Sequence, residues 1–192
     1  MARTFDSREL IDRLSAEVTT IVQRATELSA LSNEQLNKQP APGKWSVAQI
    51  VEHLNTYDRY YIPQASEVLN KAVRVSGSKP FKPGWLGEYF VNSMYSQVKT
   101  TGAVTNKMSA MKGHIPEDTL NAAKVLNEFL VDQRKLLALL EQMRGVDMAS
   151  VRIPITISKF ITIKLGDAIR FLVAHEVRHF SQIERTLVAK GS

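Results

Sequence analysis

The chain contains no cysteine. That excludes disulfide staples, cysteine-ligated zinc, iron–sulfur clusters and a cysteine nucleophile of the protein's own. Any thiol chemistry must therefore bring its thiol in as a substrate. Long apolar runs are also missing, and no stretch approaches the ~18 consecutive apolar residues of a membrane span. Met1-Ala2-Arg3-Thr4-Phe5-Asp6 leads straight into a charged amphipathic segment, without an apolar stretch and cleavage site, so no secretory leader is read and the cytoplasm is the expected location. The net charge of +6 favours anionic partners only as a weak general field. Lysine and arginine are spread along the chain, with no basic run interleaved with aromatics. This reads as a solvated surface and not as a nucleic-acid groove.

What is present is amphipathic periodicity. A chain of 192 residues, 44% hydrophobic and 23% charged, has the length and balance of a globular protein with a sizeable core. We read one domain spanning residues 1–192. Leu10, Leu14, Val18, Ile21, Ala25 and Leu28 recur at intervals of three and four and predict a helix from about Asp6 to Ser29. A polar turn at Ser32-Asn33-Glu34-Gln35 and the breaker Pro40-Ala41-Pro42-Gly43 follow. Ser46-Val47-Ala48-Gln49 is a capping box that starts a second helix, with Pro63 inside it and an end near Val73.

Residues 76–84 are turn-rich and lead into a short helix around Trp85 to Gln97, then a long connection from Lys99 to Pro116. The acidic Glu117 or Asp118 marks the expected start of a third long helix, carrying Leu126, Leu130, Leu137 and Leu140 to about Gly145. Ile153 to Ile157 and Phe160 to Ile163 alternate like strands and predict a small hairpin, in which Pro154 argues against a central strand. A fourth long helix runs from about Leu165 to Val188. The expected fold is all-α: a four-helix bundle with a long crossover connection and a short β-hairpin before the last helix.

The chemistry concentrates in His175-Glu176-Val177-Arg178-His179. Histidines at i and i+4 share one helix face, so both imidazoles can reach one metal ion. The string also matches the H-E-x-x-H of zinc peptidases, in which the glutamate is the general base. Such enzymes need a further ligand downstream, and no later histidine exists here. Glu184, the sole later carboxylate, is too near on the same helix. A third ligand therefore comes from upstream, from His53 in the second helix or His114 in a loop. Bundle sites are assembled from facing helices, which favours His53.

At this point the sequence resembles the DinB-like (YfiT-like) superfamily of four-helix-bundle metalloproteins. The resemblance rests on Trp45-Ser46 with His53 seven residues after the serine, on Leu165-Gly166-Asp167 leading into the last helix, and on His175 to His179 followed by Gln182. With the helix order it covers most of the chain. It implies that His53, His175 and His179 form a three-histidine site for a divalent metal, variously zinc, nickel or iron in the family, within a bundle that often dimerises. Family members of known activity include thiol-dependent transferases and isomerases, which makes a low-molecular-weight thiol an expected co-substrate. The segment from Ser76 to Pro116 matches no motif.

The residues agree with that implication. Three neutral imidazoles leave the charge of a divalent ion intact and a coordination position open. The expected function is a divalent-metal-dependent small-molecule enzyme, a thiol-dependent S-transferase or a hydrolase, acting on an anionic small molecule. The alternative is a non-catalytic metal-binding or stress-response bundle. Glu176 and Gln182 are the candidate catalytic residues; Gln182 lies on roughly the face of His175 and suits orienting a ligand. Arg178 reads as a surface residue, His114 as a loop residue without a role, Trp45 as a packing anchor, and Tyr57, Tyr60 and Tyr61 as core.

Overall fold

The computed structural model describes residues 4–77, 79–98 and 110–188. The stretch 99–109 of the expected long connection lies outside the described residues. Four long helices, α1 (Ser7–Leu28), α3 (Val47–Lys71), α5 (Ala122–Met143) and α6 (Leu165–Val188), form the bundle, and α2 (Asn33–Asn37) and α4 (Trp85–Val98) accompany it. Helix α3 packs against α5 and α6, and α1 packs against the same two, so α1 and α3 sit across a diagonal. Helix α4 lies outside the bundle against α6.

The local rules account for the helix starts. Asp6 caps α1 by accepting from the Arg8 and Glu9 amides, and all six apolar positions of the expected stripe are buried. The Ser46/Gln49 capping box forms with both reciprocal bonds in place. Two details differ from the sequence expectation. The polar turn at 32–35 opens the one-turn helix α2, capped by a second capping box from Ser32 and Gln35. Helix α5 begins at Ala122 behind the Asn121 cap, four to five residues later than its acidic neighbours suggested. The reason is competition for backbone groups: Asn37 bonds both the amide and the carbonyl of Leu120, Asn33 accepts from the Ala122 amide, and Gln49 donates to the Glu117 carbonyl.

The hairpin pairs β1 (Arg152–Ile155) with β2 (Ser158–Lys164) antiparallel, with a bulge between Pro154 and Ile155. A two-stranded sheet has only edges, which is where proline is tolerated. The hairpin is tied to α3, since the Tyr60 hydroxyl donates to the Ile155 carbonyl and the Tyr61 hydroxyl accepts from the Thr156 amide. Helix α4 approaches α6 closely at Gly87, where an added Cβ would come within 2.3 Å of Asp167. Asp167 in turn accepts from the Gly84 amide, and Arg170 bridges Asp167 and Glu88.

The apolar core is divided. One cluster holds Leu10 to Val18, Tyr57 to Leu69, Leu136 to Met143 and the start of α6; another holds Ile21 to Leu28, Val47 to Leu54, Ala122 to Phe129, Phe180 and Ile183. Where α3, α5 and α6 pass from one cluster to the other they carry buried polar residues: Asn55 and Asp58 on α3, Asp132 and Gln133 on α5, His175, Glu176 and His179 on α6. Burying so many polar groups costs free energy unless each is paired, so this layer is where function is to be sought.

Candidate metal centre and adjoining cavity

Helix geometry builds the histidine group. His175 and His179 stand one turn apart on α6, and His53 faces them from α3; all three are buried. One potential ligand atom from each lies within 4.8 Å of the others. The ring centroids are 4.6 to 5.1 Å apart. His114 is not in this group. It closes a single 3-10 turn, with its ring stacked on Tyr57 and its Nδ1 2.7 Å from Thr56 Oγ1.

Hydrogen bonds set the tautomers of two of the three rings. His53 Nδ1 lies 2.7 Å from the His114 carbonyl oxygen. Only an N–H can satisfy a carbonyl, so the proton sits on Nδ1 and Nε2 carries a lone pair. His179 likewise donates from Nδ1 to Gln182 Oε1 at 2.9 Å, leaving its Nε2 free. His53 Nε2 lies 3.3 Å from His175 Nε2. That contact is satisfied either by an N–H of His175 or by a cation shared among the rings, and with the lone pairs left on His53 and His179 the donor set fits a divalent metal ion. His175 Nδ1 is buried and has no hydrogen-bond partner among the described residues.

Electrostatics keeps these rings ready to ligate. Burial lowers the pKa of His53 to about 4, helped by the neighbouring cationic groups. Burial likewise pulls His175 and His179 well below the ordinary histidine range. At neutral pH no proton has to leave before a metal binds.

Glu176, the next residue after His175, turns about 100° round the helix, away from this group. Its Oε1 accepts from Gln133 Nε2 at 2.8 Å, and the same amide reaches Asp58 Oδ2 at 3.3 Å. Burial raises the pKa of Glu176 to about 8, and burial with the neighbouring Glu176 and Asp132 charges raises Asp58 too. The two acids form a closed carboxyl–amide cluster between α3, α5 and α6.

The histidines open in the other direction, onto a cavity of about 140 Å³. Aromatic and aliphatic side chains dominate its wall, among them Trp45, Tyr57, Phe90, Met94, Phe171 and Ile157. Glu176 and Gln182 are not part of that wall, whereas Arg178 is. The sequence placed Arg178 on the surface. The packing of α4 against α6 half-buries it instead and sets its Nη1 3.6 Å from Met94 Sδ. Two further contributors escaped sequence reasoning. The His114 carbonyl is a backbone group with no residue signature, and Gln133 reaches Glu176 from a helix that no local motif connects to it.

Fold and site together define a class: a helical bundle with a buried three-histidine group that suits a metal and opens onto an apolar cavity. The family model for the DinB superfamily matches residues 9–183, and the chain belongs to that superfamily. Among curated proteins it is similar to the uncharacterized protein YuaE of Bacillus subtilis (strain 168), at 24% identity over 159 residues, covering 82% of this chain and 86% of that protein. No solved structure matches the chain. Among the described residues, no helix is long and apolar enough to cross a membrane.

Proposed function

We propose that His53, His175 and His179 hold a divalent metal ion and that the protein is a metal-dependent small-molecule enzyme of the transferase or hydrolase kind. The observation that carries this reading is the convergence of three neutral imidazoles, two with their Nδ1 protons bonded elsewhere, at the end of a cavity. A bound divalent ion would act as a Lewis acid that lowers the pKa of a neighbouring water or thiol. The protein's own residues do the rest. The His114 carbonyl and Gln182 orient two of the ligands. Trp45, Tyr57 and Phe171 exclude water and present apolar surface to a substrate.

Because the chain has no cysteine, a thiol nucleophile would come from a low-molecular-weight thiol co-substrate. The open side of the histidine group favours this over a purely structural metal, which is closed on all sides by protein ligands. Glu176 has no place at the cavity, so the proposal gives it no role as a base. The first test is metal content by elemental mass spectrometry, on wild type and His53→Ala purified side by side without chelator or a nickel column. About one ion per chain in the wild type, lost in the variant, supports the proposal and justifies thiol-transfer and hydrolysis screens. Retention in the variant would overturn it.

A further inference from the structure

Arg178 is a cation in the wrong place for a structural residue. It belongs to the cavity wall, and the only hydrogen-bond acceptor it reaches among the described residues is the thioether of Met94. No carboxylate among the described residues pairs with it, although Arg170 on the same helix is paired with Asp167 and Glu88. Nor does any acidic side chain among the described residues line the cavity. The nearest in sequence, Glu176, is committed to Gln133 on the far side of the helix.

A half-buried guanidinium without a counterion is costly. Its charge acts on all three histidines of the site. A divalent ion held there would add like charge at the same apolar cavity and raise the cost further. The deficit is one of negative charge, and the side chain built to meet it is a fork of N–H donors that matches a carboxylate or a similar oxyanion.

Size limits the part of the ligand that enters the cavity. About 140 Å³ of space, walled by aromatic and aliphatic groups, is close to the roughly 150 Å³ known to admit a benzene ring. We propose that Arg178 is a specificity-determining residue, which holds the oxyanion of a substrate whose part inside the cavity is an apolar group of about benzene size. This inference rests on the cavity being the substrate site, as proposed above, but not on the metal itself.

The test is calorimetric titration with benzoate and with benzyl alcohol, a neutral probe of similar size, on zinc-loaded and on chelator-stripped protein. Benzoate is expected to bind the wild type about tenfold or more tightly than benzyl alcohol, the scale of one charge-assisted pair. Arg178→Met should remove that preference while leaving metal content and benzyl alcohol binding near wild type and the melting temperature at or above it. Arg178→Lys should restore part of it. The preference should survive metal removal. Absence of benzoate binding at millimolar concentration, or equal affinity for the two probes, would overturn the proposal. So would a preference that persists in Arg178→Met but vanishes on stripping, since the metal would then hold the anion. That last outcome leaves the metal reading intact, whereas metal retention in His53→Ala defeats the metal reading without touching this titration.

Discussion

His175 and Glu176 are consecutive on one helix, and each belongs to a buried polar group, yet the two groups are opposites. The histidines point bases at one another, with their spare protons bonded outward to His114 and Gln182 and with a cavity beside them. The carboxyl–amide cluster points acids at one another, with Gln133 donating between Asp58 and Glu176 and helices on every side. Burial pushes both sets towards their neutral forms, down in pKa for the bases and up for the acids. Neutral bases offer lone pairs to a cation. Neutral acids can share protons with one another, and Gln133 ties these two together. The same polar layer thus contains a group suited to binding and a group suited to holding three helices in register, separated by one residue step of about 100°.

That division can be broken by mutation. The largest expected effect is in His175→Ala, which should lose bound metal almost entirely while the bundle stays folded, as read by elemental mass spectrometry beside circular dichroism. Glu176→Ala should do the reverse. It removes the shorter of the two bonds from the Gln133 amide and leaves a void, so a loss of about 2–3 kcal/mol in denaturant unfolding is expected with metal content retained. If Glu176→Ala instead lost metal at unchanged stability, the two groups would have to be regarded as one site. Gln182→Ala tests the boundary from the other side: loss of an orienting partner should weaken metal affinity about tenfold, measured by chelator competition, with little change in melting temperature.

The smallest effect is a slope. In metal-free protein, Glu176 is protonated in the folded state up to about pH 8 but ionises near its ordinary value of 4.5 when unfolded. The folded state therefore binds more protons across that window, and the cluster's contribution falls as pH rises. The histidines act oppositely, but only below their unfolded value of 6.5. Between pH 6.5 and 8 the melting temperature should therefore decline, and the double variant Asp58→Asn/Glu176→Gln should flatten the decline. A wild-type curve that rises over this range would contradict the assignment of neutral acids.

Much of this was legible in the residues because it is local or periodic. The α1 stripe from Leu10 to Leu28, the Ser46/Gln49 capping box and the hairpin each depend on residues close in sequence, and all appear in the structure. His175 and His179 share a face by helix pitch alone, and the preference for His53 follows from bundle sites drawing on facing helices; the three do come together. The late start of α5 was not legible, because Asn33 and Asn37 take the intervening backbone groups from more than eighty positions away.

By itself the sequence determined the helical bundle, its hairpin and the residues of the histidine group, since periodicity, caps and breakers act over a few residues each. Only the tertiary structure decided which way each polar side chain faces. It gave Glu176 to Gln133, made the His114 carbonyl a support for His53, and brought α4 over α6 so that Arg178 became part of a cavity wall. Those outcomes depend on which helix lies opposite, and the spacing of residues within one helix carries no record of that.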